Sequence, residues 1–380
     1  MRHVIAGARI FDGIRFWEDH ALVLDDGRIT AILPAGEAGT PTEKVQGIIA
    51  PGFLDLQVNG GGGLMVDGTT DPDALRTICD THRQLGCAGV LPTLITDTPQ
   101  ATARVIDAGV RAARMNMPGF LGLHLEGPHL DPRRKGAHDP ALVRPMEDAD
   151  LAILCDAARA LPALMVTLAP EAATPRQIRA LAGAGAIISL GHSDCDHETA
   201  CRAYDAGASC ATHLFNAMSQ MGHRSPGMVG AVLAGEGFAG LIADGIHVHP
   251  AAMRAALRAR PDGIFLVSDC MAFAGTDMTR MALNGRPVLR GDGRLTLADG
   301  TLAGADLRMD RAIATLVGQV GITPERALAM AALEPARAIG LSDRFGMIAA
   351  GRHADLVLLG SDLSLTGIWQ EDGWREPLAA

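Results

Sequence analysis

Eight short aliphatic runs follow one another between Gly52 and Asp269, and nearly every one ends in a residue able to bind a metal, move a proton or hold an anion. They cover residues 52–58, 89–95, 120–125, 164–168, 186–190, 210–214, 239–243 and 264–268. Each is too short for a helix and mostly aliphatic throughout, as strands buried on both faces require. Helical stretches separate most of them, at 72–85 after an Asp71 cap, 101–114, 151–160, 175–182, 197–205 and 251–260. Eight such alternations predict an α/β fold built as a (β/α)8 barrel. A doubly wound sheet also alternates, but it does not place eight strand ends around one pocket. A barrel does, at the carboxyl ends of its strands.

The flanks read differently. Residues 4–11, 22–24 and 29–33, with a turn at Asp26-Gly27, have strand character and no helical period. The other end repeats this, with a strand at 355–359 and a hairpin at 365–375 around Asp372-Gly373. Both termini together are expected to form a small β-sandwich domain from residues 1–50 and 348–380, leaving 51–347 for the barrel. Within the barrel segment, 288–302 reads as an inserted hairpin turning at Asp292-Gly293, followed by closing helices up to Gly340.

The formal net charge of −10 argues against a nucleic-acid surface, which needs a basic stripe to neutralise phosphates. It does not exclude a small anion in a pocket, where a few nearby groups set the field. Trp17, Trp369 and Trp374 all lie in the terminal segments, so the middle of the chain has no indole platform for bases or polysaccharide. A small polar ligand is favoured. Seven cysteines without a C-x-x-C pair suggest buried thiols in a reducing cytosol, not a disulfide framework. Residues 1–11 lack a signal-peptide pattern, and no run reaches the roughly 18 apolar residues of a spanning helix. A cytoplasmic protein with no membrane partner is expected.

Three strand ends suggest a metal centre: Glu126 in Leu123-His124-Leu125-Glu126-Gly127-Pro128, His192 in Leu190-Gly191-His192-Ser193 and His213 in Thr212-His213-Leu214-Phe215-Asn216. One carboxylate and two imidazoles leave a fourth tetrahedral position for water, as catalytic zinc sites do. Asp269, ending the eighth run, is placed to exchange protons there. His247-Val248-His249 has H-x-H spacing but precedes Pro250 at a helix start, which favours a substrate contact for His247 and a surface role for His249. Gly60 to Gly63 do not fit G-x-G-x-x-G and read as a mobile loop after the first strand. Arg133-Arg134-Lys135 reads as a solvated loop, and His197 has the wrong offset from His192 to share a helical face with it.

Together these segments, with Pro51-Gly52-Phe53-Leu54-Asp55, Ala217-Met218 and Ala243-Asp244-Gly245-Ile246-His247, resemble the N-acetylglucosamine-6-phosphate deacetylases of the amidohydrolase superfamily. The resemblance runs almost end to end. It implies a barrel with a small β domain from both termini, and removal of acetate from N-acetylglucosamine 6-phosphate. It makes Glu126, His192 and His213 ligands of one divalent metal, zinc before iron, manganese or cobalt, and Asp269 the catalytic acid and base. Where many superfamily members carry His-x-His on the first strand, this chain has Gln57-Val58-Asn59, so a second metal is not expected. The resemblance further gives His138 the acetyl carbonyl or a sugar hydroxyl. It assigns the phosphate to His247, the backbone amides of Asn216 and Ala217, and Arg224 supplied by the neighbouring subunit of a homodimer.

Three alternatives stand beside this reading. One is a related enzyme acting on N-acetylgalactosamine 6-phosphate, which differs by one hydroxyl. Another is a different amidohydrolase of N-acyl substrates, disfavoured because residues 163–170 hold no lysine to be carboxylated. The third is a metal-free barrel scaffold, which would need none of Glu126, His192, His213 or Asp269.

Overall fold

The eight aliphatic runs form eight parallel strands: β1 (Phe53–Val58), β2 (Cys87–Ile95), β3 (Leu123–Glu126), β4 (Leu164–Leu168), β5 (Ile187–Leu190), β6 (Cys210–Ala211), β7 (Phe238–Leu241) and β8 (Ile264–Leu266). They pair in sequence order within one sheet of this computed structural model, which describes residues 1–370 and 373–378. The ends of the sheet meet just beyond β8. There the Asp269 N–H donates to the Gln57 carbonyl at 3.1 Å and the Asn59 N–H to the Cys270 carbonyl at 2.9 Å, which closes the sheet into a (β/α)8 barrel.

Several strands are shorter than their apolar runs. Chain 120–125 enters the sheet only at Leu123, because Gly122 turns at φ 142°, where a Cβ would lie 1.9 Å from the Ala163 carbonyl oxygen. β6 stops at Ala211, and the backbone then leaves the extended region, with His213 at φ 30°.

Helices cover the outside: α1 (Pro72–Gln84), α2 (Pro99–Arg114), α3 (Asp148–Ala160), α4 (Pro175–Gly183), α5 (His197–Asp205), α6 (Gly227–Ala234), α7 (Pro250–Ala259) and α8 (Met309–Thr315). Asp71 caps α1 by accepting from the Ala74 N–H at 2.8 Å. Two helices begin earlier than their apolar period suggests. Thr98 caps α2 ahead of Pro99, and a capping box between Glu147 and Asp150 starts α3 at Asp148. α6, GMVGAVLA, shows no polar face in its sequence, so no 3.6-residue period marks it.

The terminal segments form two sheets. Residues 4–11, expected as one strand, split at Gly7 (φ 97°) into Arg2–Ala6 and Arg9–Phe11, which join different sheets. Arg2–Ala6 pairs with His20–Asp25, which turns at Asp26-Gly27 into Arg28–Pro34. Ile48–Pro51 lies between Arg9–Phe11 and Leu356–Leu359, so the two ends of the chain share a sheet. Ile5, Leu22 and Leu24 of the first sheet pack on Ile10, Ile49, Leu356 and Trp369 of the second. The sheet continues through Leu365–Gln370 to Gly373–Arg375; Asp372, placed at the turn of that hairpin, lies outside the described residues.

The insert is larger than a hairpin. Arg280–Leu283, Arg286–Gly291, Arg294–Leu297 and Leu302–Ala305 make a four-stranded antiparallel sheet. Its first two turns use Asn284-Gly285 and Asp292-Gly293, all four residues at positive φ. Leu283, Val288, Leu295, Leu297 and Ala303 pack on Met271 and Phe273, a cluster separate from the barrel core. All seven cysteines are free thiols, and no helix among the described residues is long and apolar enough to cross a membrane.

Candidate metal centre and active site

β3, β5 and β6 deliver Glu126, His192 and His213 to one point at the carboxyl end of the barrel. Their ligand atoms all lie within 4.8 Å of one another, and all three side chains are buried. Glu126 Oε1 is 3.2 Å from His192 Nε2 and 3.1 Å from His213 Nε2, and the two ring nitrogens are 3.1 Å apart. His192 Nδ1 sits 2.8 Å from the Arg134 carbonyl oxygen, which only accepts, so the proton of a neutral ring resides on Nδ1 and Nε2 presents a lone pair. A lone pair aimed at a carboxylate oxygen is repulsive without a positive charge between them. Ligand atoms around a tetrahedral zinc stand roughly 3.3 Å apart, given bonds of about 2.0–2.1 Å. The donor set therefore fits a divalent cation. Burial pushes the Glu126 carboxyl up, but the two imidazoles outweigh it and hold the group well below the usual carboxylate range.

Asp269 stands beside this centre, 9 % exposed. Two amides converge on its Oδ1: Gln57 Nε2 donates at 3.1 Å and Asn59 Nδ2 at 2.8 Å. Gln57 Nε2 also reaches Glu126 Oε1 at 3.2 Å. The place where His-x-His would hold a second cation is thus filled by N–H donors pointing at carboxylates. Burial, then the nearby Glu126 charge, raise the Asp269 carboxyl to about 6, a value suited to proton exchange near neutrality.

His192, His213, Ala217 and Asp269 all sit at positive φ, between 30° and 50°. Such backbone is costly for residues with a Cβ, and its concentration at one mouth is what a functional site does.

A cavity of about 260 Å³ opens over these groups, lined also by His138, Asn216, Ala217 and His247. His138 Nδ1 accepts from the Thr96 N–H at 3.3 Å and lies 2.7 Å from its hydroxyl, which leaves Nε2–H as the ring's donor. Burial and the neighbouring His192 lower this imidazole to about 3, so it stays neutral. His247 Nδ1 lies 2.6 Å from Asp244 Oδ2, whose other oxygen accepts the backbone N–H groups of Ile246 and His247. That clasp sets the ring with Nε2 free for the cavity.

Two expectations need correction, the Asn216 backbone amide and the mobile glycine loop. The Asn216 backbone N–H donates to the His213 carbonyl at 2.9 Å, so it is committed within the loop and only the Asn216 side chain is left to offer. Gly60 to Gly63 are tied down, not loose: the Gly62 and Gly63 N–H groups donate to Ala274 and Ala272, and His82 Nε2 donates to the Gly60 carbonyl at 2.9 Å. A Cβ at Gly61 would lie 2.9 Å from that ring nitrogen. Arg133 and Arg134 form an ion-pair network with Asp131, Glu171 and Asp194, which holds the carbonyl that orients His192. His249 caps α7 by accepting from the Ala251 N–H. Arg224 is exposed and does not line the cavity.

Thr96, Asp244 and the Arg134 carbonyl escaped sequence reasoning because they act on other side chains. Only the short Asp244-Gly245-Ile246-His247 spacing hinted at one of them. Leu283, Leu302 and Ala303 of the inserted sheet form an apolar wall of the cavity with Met65, Ile95 and Met271.

The Amidohydrolase family matches residues 48–373. The chain is 38% identical over 373 residues to an N-acetylgalactosamine-6-phosphate deacetylase of Shewanella sp. (strain ANA-3), across 96% of this chain and 93% of that one. It is 32% identical to an N-acetylglucosamine-6-phosphate deacetylase of Haemophilus influenzae, across 99% of this chain and 100% of its relative. The crystal structure of N-acetylglucosamine-6-phosphate deacetylase from Pasteurella multocida superposes with a TM-score of 0.93 at 32% identity, covering 99% of this chain and 100% of that chain.

Proposed function

We propose, from the premise that this chain belongs to the amidohydrolase family, that it hydrolyses N-acetylglucosamine 6-phosphate to glucosamine 6-phosphate and acetate. The observation that carries this is the buried meeting of Glu126, His192 and His213 beside Asp269, on a chain aligned over nearly its whole length with amino-sugar-phosphate deacetylases.

The three ligands would hold one divalent ion, zinc by preference, with iron, manganese or cobalt compatible with the same donors. Such an ion, when bound, polarises a carbonyl and makes water more acidic. Asp269, held at Oδ1 by two amides, keeps Oδ2 for the reaction. It takes a proton from the attacking water and hands it to the departing nitrogen. His138, neutral with Nε2–H as donor, binds the acetyl carbonyl or a sugar hydroxyl. His247, the Asn216 side chain and the Ala217 backbone amide, which line the same cavity, bind the phosphate.

Arg224 completes phosphate binding from the partner subunit of a homodimer. In support, it lies in an exposed loop with Met221, a large apolar side chain 61% exposed, which is better placed in an interface than in water. Arg224→Ala is expected to raise KM for the phosphorylated sugar about tenfold or more, and to leave an unphosphorylated analogue unaffected. Equal effects on both would remove the phosphate role. The free thiols support a reducing, cytoplasmic setting.

A second reading, N-acetylgalactosamine 6-phosphate as substrate, is favoured by the name of the Shewanella relative at 38% identity. One experiment separates the readings: acetate release from N-acetylglucosamine and N-acetylgalactosamine, each with and without 6-phosphate, before and after chelation. Fast release from a 6-phosphate that chelation abolishes is expected. Release indifferent to phosphate or to chelator would refute the proposal.

A further inference from the structure

Asn59 carries a buried acceptor that has no partner among the described residues. The residue is 4% exposed and lines the cavity. Its Nδ2 donates to Asp269 Oδ1 at 2.8 Å. An anionic carboxylate only accepts, so the amide nitrogen must face Asp269 and the amide oxygen must face away. That oxygen, Asn59 Oδ1, has no hydrogen-bond partner among the described residues. A buried acceptor left empty is costly, and such groups in a native site mark a place where something else binds.

We infer that Asn59 Oδ1 accepts the N–H of the substrate's scissile amide, a role that rests on the deacetylase reading. One side chain then holds the base and the leaving nitrogen together. As water adds to the acetyl carbon, the amide nitrogen loses conjugation and gains a lone pair. Its one hydrogen is engaged by Asn59, so the lone pair is turned toward Asp269. Asp269 by then carries the proton taken from water. It passes that proton to the nitrogen, the C–N bond breaks with its electron pair remaining on nitrogen, and amine and acetate are released. Nothing beyond water is consumed.

The backbone around Asn59 supports a fixed orientation. The Asn59 N–H donates to Cys270 at 2.9 Å, its carbonyl accepts the Val66 N–H at 2.8 Å, and the next residue, Gly60, is held by His82. Gly60 has no room for a side chain, since a Cβ would meet the Leu64 carbonyl oxygen at 2.2 Å. The amide is therefore carried on a rigid strand end.

The test compares the metal-loaded enzyme on a 2-acetamido sugar 6-phosphate and on the matching 2-acetoxy ester, which has no N–H. Asn59→Ala, with Asn59→Leu as a near-isosteric second variant, is expected to lower kcat/KM for the amide at least about tenfold more than for the ester, whose own loss reads the weakened hold on Asp269. Asp269→Asn removes proton delivery to both leaving groups and sets the amide-to-ester change due to that loss alone. An Asn59 change no larger than the Asp269 one, or equal losses on both substrates, would overturn the inference and leave Asn59 as a support for Asp269. A wild-type enzyme inert toward the amide would sink the deacetylase reading, and this inference with it.

Discussion

Asp269→Asn is expected to lower kcat/KM for the phosphosugar by about 10³-fold or more, while the metal content of the purified protein stays unchanged. General acid–base catalysis by one residue contributes roughly 10²–10⁴, and here the same carboxyl serves both directions of transfer. Asparagine preserves the shape of the side chain, and its oxygen still accepts from the Gln57 and Asn59 amides. Stability should therefore change little. The pH profile offers a second readout. With the carboxyl raised to about 6, protonation removes the base as pH falls, so activity declines on the acid side; a bound cation shifts this decline to lower pH. In the variant that acid limb disappears. Full activity in Asp269→Asn would withdraw the assignment.

Glu126→Gln should be nearly as damaging for a different reason. Its carboxylate is the only anionic member of the proposed ligand set, and its Oε1 faces both ring nitrogens. A neutral amide is a poor ligand beside imidazole. Metal per chain, measured by elemental analysis after dialysis, should fall from about one to near zero, and turnover should fall with it. Retention of a full equivalent by Glu126→Gln would remove Glu126 from the ligand set. Two full equivalents in the wild-type protein would contradict the filling of the second position by Gln57 and Asn59.

The barrel and its ligands were legible because both depend on local pattern. An aliphatic run of five to seven residues ending in Glu, His or Asp states where a strand is and which group it delivers, and closure of the sheet supplies the convergence. Glu126, His192, His213 and Asp269 could be named for that reason. Features set by long-range fit were not legible. α6 lacks polar positions to define a period, and the end of β6 depends on a backbone turn at His213 that no propensity predicts. The extent of the inserted sheet was missed because Arg280–Leu283 buries only Leu283 fully and carries no strong apolar alternation. The anchoring of Gly60 to Gly63 arises from partners more than two hundred residues away and from His82. Glycine repeats look mobile until the surface they pack on is known.

The hydrogen bonds that seal the barrel use the backbones of Gln57, Asn59 and Asp269, whose side chains meet over the metal centre. Chain closure and assembly of the proton-transfer apparatus are consequently a single event. A polypeptide emerging from the ribosome has Gln57 and Asn59 early but no base until the eighth strand arrives, more than two hundred residues later. Catalytic competence thus reports that the ring is complete, and loosening of this seam on heating should extinguish turnover before the outer helices melt.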